Sequence, residues 1–184
     1  GIKNVYVSNG FMSEQMLDLY LPWLDAANID IKAFDDAVYR KYSGARLQAV
    51  LDNCKRLKEA GVWLEVTTLL VPGVNDDDKQ IQGLANFIVE QLGEETPWHL
   101  SRYFPQPQFS QIEATPIKTV HHAMAIGKAA GLKYIYAGNM SGGADTYCPS
   151  CEAALVLRDR IFLQENHLVN SSCPHCGNKI AGIW

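Results

Sequence analysis

The sequence predicts a parallel α/β fold followed by a small cysteine-rich module, on three observations. Short β-rich runs alternate with segments whose apolar residues recur at helical spacing, glycine or proline closes most of these segments, and two Cys-x-x-Cys pairs crowd the last quarter of the chain. Repeated strand-helix units of this kind fold as an open sheet or a barrel, with sites at the carboxyl ends of the strands.

Val5 to Ser8 reads as a strand that breaks at Asn9-Gly10. Ser13 then caps a helix with an apolar stripe through Met16, Leu17, Leu19, Tyr20, Leu21 and Leu24. The next strand, Asn28 to Lys32, sets Asn28, Asp30 and Lys32 on one face and Ile29, Ile31 and Ala33 on the other. Between two amphipathic helices the polar face must look into an enclosed site. An unpaired buried charge costs several kcal/mol, so Asp30 and Lys32 are expected to pair with each other, with a ligand or with an ion. A structural ion pair at a strand end has the same pattern.

Asp35 to Tyr42 reads as a helical turn, and Leu47 to Ala60 as a helix stopped by Gly61. The strand Val62 to Val71 alternates Glu65 and Thr67 against Leu64, Val66 and Leu70, again placing an acid where an aliphatic residue is expected. Asn75-Asp76-Asp77-Asp78 precedes a helix that ends at Gly93, and the acidic run is read as capping rather than as a cation site. Trp98 to Phe104 is the next strand, with His99 and Ser101 opposite Trp98, Leu100 and Arg102. Thr115-Pro116 opens a helix closed by Gly131, Lys133 to Ala137 is the last strand of the series, and Gly138 to Asp145 reads as a linker. Residues 1–140 would thus form the α/β part and residues 146–184 the cysteine module.

Composition excludes several classes. Of 184 residues 47% are hydrophobic and 20% charged, the profile of a globular protein rather than a disordered one. No apolar run approaches the ~18 residues needed to cross a bilayer, and the start lacks a signal-peptide pattern, so a cytoplasmic location and no membrane partner are expected. A net charge of −4 argues against a general electrostatic grip on nucleic acid. There is neither a Gly-rich dinucleotide loop nor a P-loop, which argues against nucleotide-dependent dehydrogenases and kinases.

Cys148-Pro149-Ser150-Cys151 and Cys173-Pro174-His175-Cys176 can together complete a tetrahedron of thiolates, the pattern of a closed structural zinc site. An iron-sulfur cluster on the same four thiolates and a pair of disulfides are the alternatives. Leu155 to Arg158 and Ile161 to Leu163 read as the hairpin of a zinc ribbon, a module too small to hold itself together without metal.

Ser8-Asn9-Gly10-Phe11, Asp30-Ile31-Lys32 and Val71-Pro72-Gly73-Val74-Asn75-Asp76-Asp77, in this order, resemble the later part of the radical S-adenosylmethionine (SAM) enzymes related to pyruvate formate-lyase activating enzyme. Trp98 to Pro105, Tyr136-Ala137-Gly138-Asn139 and the terminal cysteine pairs are similar to its "AmmeMemoRadiSam system" branch. The resemblance implies a partial βα barrel with SAM lying across the strand ends. It would place Ser8 near the amino-acid end of SAM, with Asn9 and Gly10 among the cofactor-binding residues, Asn28 and Asp30 beside it or an associated cation, and Lys32 near substrate or cofactor. Thr67 and Phe104 stand where the activating enzymes carry an arginine and a histidine, and Glu65, His99 and Arg102 are candidate substitutes.

The family's activity is reductive cleavage of SAM to a 5′-deoxyadenosyl radical that abstracts hydrogen from a substrate, here a small molecule or a protein. It depends on a [4Fe-4S] cluster held by a Cys-x-x-x-Cys-x-x-Cys loop, and no such motif occurs in these 184 residues. The resemblance therefore implies a carboxyl-terminal part that starts at the third strand, inactive alone, with exposed strand edges that would meet the missing amino-terminal strands or a second copy. Two other functions fit the residues: a non-catalytic zinc-ribbon module that binds a partner protein, and, more weakly, a metal-dependent hydrolase using Asp30, Glu65 and His99.

Overall fold

A computed structural model describes residues 1–159 and 162–184, so the Ile161 end of the expected hairpin lies outside the described residues. The first part alternates β1 (Val5–Ser8), α1 (Glu14–Tyr20), β2 (Ala26–Asp30), α2 (Asp36–Ser43), α3 (Leu47–Glu59), β3 (Trp63–Leu70), α4 (Asp78–Phe87), β4 (Trp98–Arg102), α5 (Ile117–Ala130) and β5 (Ile135–Gly138). The strands pair in chain order, each parallel to the next. Sequential parallel pairing is the arrangement of a barrel wall rather than of a doubly wound sheet, whose strand order reverses.

Residue choice explains the elements. Ser13, Asp35 and Asp77 each accept hydrogen bonds from amides of the first turn of α1, α2 and α4, so the acidic run after Asn75 acts as a cap, as its position predicts. Gly44 and Gly131 end α2 and α5 in the left-handed conformation. The face of the sheet turned toward the helices carries Ile29, Leu64, Val66, Trp98 and Leu100, all fully buried. Each such side chain contributes about 1.5–3 kcal/mol by leaving water.

Strand limits differ from those read in the sequence. β2 begins at Ala26, because Ala26 pairs with both Val5 and Trp63, and it ends at Asp30, which leaves Lys32 beyond the strand. β4 ends at Arg102 and β5 starts at Ile135. The Gly138 to Asp145 segment is no free linker. Ala137 N donates to Gly143 O (2.8 Å), while Arg158 N and Nη1 donate to Asp145 Oδ1 (2.7 Å) and Ala144 O (2.8 Å).

The second part has β6 (Thr146–Tyr147), β7 (Ala154–Asp159) and β8 (Phe162–Asn166) in one antiparallel sheet. Its small core joins Cys148, Leu155, Val156, Cys173 and Ile180 to Tyr134, which immediately precedes β5. No helix among the described residues is long and apolar enough to cross a membrane.

Candidate functional site

Register decides which side chains meet. Pairing aligns Val7, Asn28 and Glu65 in one row across the sheet, and Asp30, Thr67, His99 and Tyr136 in the next. Partners in a parallel sheet project to the same side, so these rows share the face turned away from the helices.

Glu65 is the hub of this face. One carboxylate oxygen meets His99 Nε2 at 2.7 Å and the other accepts from Trp63 Nε1 at 3.0 Å. Burial opposes its ionisation, but the hydrogen bonds from His99 and Trp63, the His99 charge and the Asn28 amide outweigh it and hold the carboxyl below the usual glutamate range. His99 in turn stacks on Tyr136, with ring centroids 5.2 Å apart and 25° between planes. Burial raises the Tyr136 phenol above its ordinary value.

One row nearer the strand ends, Thr67 Oγ1 donates to Asn28 Oδ1 (2.7 Å), and Lys32 Nζ meets Asp30 Oδ2 at 2.6 Å. The expected Asp30–Lys32 pair therefore forms. With 29% and 42% of these side chains exposed, it contributes no more than about 1 kcal/mol.

The other sequence candidates fall elsewhere. Ser8 points to the helix side, in register with buried Ile29, and its Oγ accepts from Gly10 N. Asn9 Oδ1 accepts from Phe11 N, and Gly10 is buried with a left-handed φ of 70°. Together they make a self-bonded turn above β1. Arg102 lies off the carboxylate rows: its Nε donates to Thr115 O (2.8 Å) and its guanidinium sits 4.9 Å over the Phe104 ring.

A groove of about 1400 Å³ runs between this sheet face and the carboxyl-terminal module, lined by Glu65, His99, Arg102, Tyr136, Arg158 and Trp184 among others. Asn28, Asp30, Lys32 and Thr67 are not part of its lining. Sequence reasoning did not single out Tyr136 or Arg158 as site residues. Nor did it find the buried amides: Asn53 donates to Gly10 O and Met12 O (2.9 Å each), and Asn75 donates to Lys32 O (2.6 Å) and Leu69 O (2.8 Å). Asn75 thereby ties the segment after β2 to the one after β3. An isolated asparagine gives no period, so only its buried position could have signalled the role.

The four cysteines converge. All four Sγ atoms lie within 4.8 Å of one another, with 3.6 Å for Cys148–Cys176 and for Cys151–Cys173. Glu152 N and Gly177 N each donate back to the first cysteine of their own pair at 2.9 Å, and both residues have positive φ. Glu152 thus adopts the turn that its partner pair gives to a glycine. Burial disfavours the Cys173 thiolate, but the amides of Cys176 and His175 and the Cys151 and Cys176 thiols outweigh it, bringing that thiol down to about 7. Among the described residues no other cluster of three or more histidine, cysteine or acidic side chains is close enough to share an ion.

Comparison with known proteins adds the following. Residues 1–85 match the model of the radical SAM superfamily. An uncharacterized protein of Methanocaldococcus jannaschii is 39% identical over 98% of this chain and 54% of its own length. The (2S)-3-sulfopropanediol dehydratase activating enzyme of Klebsiella oxytoca is 28% identical over 50% of this chain and 29% of its own. The chain thus spans about half or less of the length of these curated relatives. A domain of pyruvate-formate lyase-activating enzyme from Bacteroides vulgatus superposes with a TM-score of 0.65 at 20% identity, over 74% of this chain and 81% of that one, and so shares the fold.

Proposed function

Because residues 1–85 match the radical SAM superfamily, we propose that the helix-free face of the sheet is the cofactor and substrate side of such an enzyme. The observation that carries this reading is the alignment of Asn28, Asp30, Glu65, Thr67 and His99 in adjacent rows, a concentration of polar groups on the face of a parallel sheet. SAM carries a sulfonium and an ammonium, and the Asp30 carboxylate with the Asn28 and Thr67 oxygens suits such cations. In this reading SAM lies near Asn28 and Asp30, with Lys32 beside it, and the Glu65–His99–Tyr136 groove takes the substrate. Beside a reduced [4Fe-4S] cluster, SAM held there would supply the 5′-deoxyadenosyl radical for hydrogen abstraction. The cluster does not fit residues of this chain: the only cysteines besides buried Cys54 are the two Cys-x-x-Cys pairs of the terminal module. No electron-transfer step is therefore assigned here.

The four-cysteine group reads as a structural zinc site. Four thiolates about 2.3 Å from one ion stand about 3.8 Å apart, which agrees with the sulfur separations, whereas a multi-iron cluster spreads its ligands over several metal atoms.

Calorimetric titration with SAM tests the cofactor reading. Binding to the 184-residue chain should weaken at least about tenfold in Asp30→Ala, the loss of about 1.4 kcal/mol expected of a charged hydrogen bond. A wild-type chain indifferent to millimolar SAM, or an Asp30→Ala variant that binds equally well, would overturn it. A second reading, a protein-docking ribbon, is favoured by the exposure of Phe162 and Leu163 on β8, and it expects no SAM binding.

A further inference from the structure

We infer that the four-cysteine module is a wall of the groove and that Tyr136 is a positioning residue through which the module's order reaches His99 and Glu65. This rests on the reading that the four cysteines hold an ion.

Tyr136 belongs to both parts of the molecule. Its ring stacks on His99, which holds Glu65 at 2.7 Å, and its hydroxyl pairs with Thr146 Oγ1 at 3.0 Å. Thr146 is buried, lies two residues before the ligand Cys148, and also accepts from Arg158 Nη1 at 2.9 Å. The Arg158 guanidinium stands 6.0 Å from the centre of the Tyr136 ring and is itself held by Ala144 O. Two residues before Tyr136, Tyr134 is buried in the same apolar cluster as Cys148 and Cys173, and its hydroxyl accepts from Ala181 N at 3.2 Å.

A phenol ring on a sheet face can rotate unless something fixes its far end. Here the fixing groups, Thr146 and Arg158, come from the module, and the module's own core is too small to stay folded once its ion is gone. Metal loss frees the Tyr136 hydroxyl, and the ring that covers His99 loses its fixed place. The module would then serve as a scaffold for the groove rather than as an independent docking unit.

Histidine ring-carbon NMR tests this, with the His99 signal assigned by His99→Gln. In the zinc-loaded chain the His99 signal should carry the ring-current shift of a stacked partner. That shift should be lost on chelation while the methyl signals of Leu64 and Val66 persist. In zinc-loaded protein Tyr136→Leu should lose it, and Tyr136→Phe, which keeps the ring but lacks the hydroxyl that Thr146 holds, should lose a large part of it. A His99 signal unmoved by chelation as Leu155 and Ile180 lose dispersion would overturn the inference and leave the metal reading intact. Failure to bind any ion would overturn both. If chelation collapses the whole chain, the zinc-loaded variants decide: a full wild-type shift in Tyr136→Phe overturns the inference.

Discussion

Glu65 shows how a charged residue is accommodated on a sheet face. Its depressed pKa means the folded state favours the carboxylate more than the unfolded state does. The resulting stability is present above the unfolded glutamate value of about 4.3 and is lost as pH falls through the lower, folded value. Urea denaturation between about pH 6 and pH 3 should therefore show wild type losing more stability on acidification than Glu65→Gln, which has no charge to lose. Parallel profiles for the two would mean that His99 and Trp63 do not hold Glu65 ionised. The pattern Glu65-Val66-Thr67 was legible in the sequence because alternation exposes an acid among aliphatics. Its partner was not, because His99 is 34 residues away and only register brings it to the carboxylate.

At the scale of elements, the turn after β1 is set by packing more than by ligand chemistry. A Cβ at Gly10 would come within 2.6 Å of Ile29 Cγ2 and 2.9 Å of Val50 Cγ1, at a φ of 70° that side chains resist. Gly10→Ala is expected to cost about 2–4 kcal/mol, the sum of backbone strain and overpacking, read as a lowered urea midpoint with an unchanged slope. A loss below about 1 kcal/mol would show that the turn yields freely. The same turn is held from below by Asn53, whose two amide hydrogens serve Gly10 O and Met12 O. Ser8, Asn9 and Gly10 were read in the sequence as one candidate cluster, yet their side chains and backbone are largely spent on the turn itself. β2 shows the converse: the alternation of Asn28 and Asp30 was plain, while its end at Asp30 followed from pairing with β1 and β3.

For the whole molecule, the two parts differ in what stabilises them. The α/β part rests on a broad apolar core under the helices, whereas the cysteine module has a small cluster built on Cys148, Cys173 and their neighbours. Chelation by EDTA should abolish the tertiary NMR dispersion of Leu155, Val156 and Ile180 and leave most far-ultraviolet helical dichroism in place. Retention of that dispersion after the metal is removed would show that the module folds without its ion. In the Gly138 to Asp145 segment, Gly143 allows the backbone to approach β5, where a Cβ would lie 2.6 Å from Ala137 Cβ.

By itself the sequence determined the strand-helix series, the caps, the polar face of β2 and β3, and the four thiols as a set, since each is written in local spacing: period two, period 3.6, or Cys-x-x-Cys. Only the tertiary structure decided that Glu65 meets His99, that Ser8 turns away, that Asn75 joins two loops and that Tyr136 links the groove to the module. Those outcomes depend on register and on contacts between residues far apart in the chain, and no local pattern encodes a distance across a sheet.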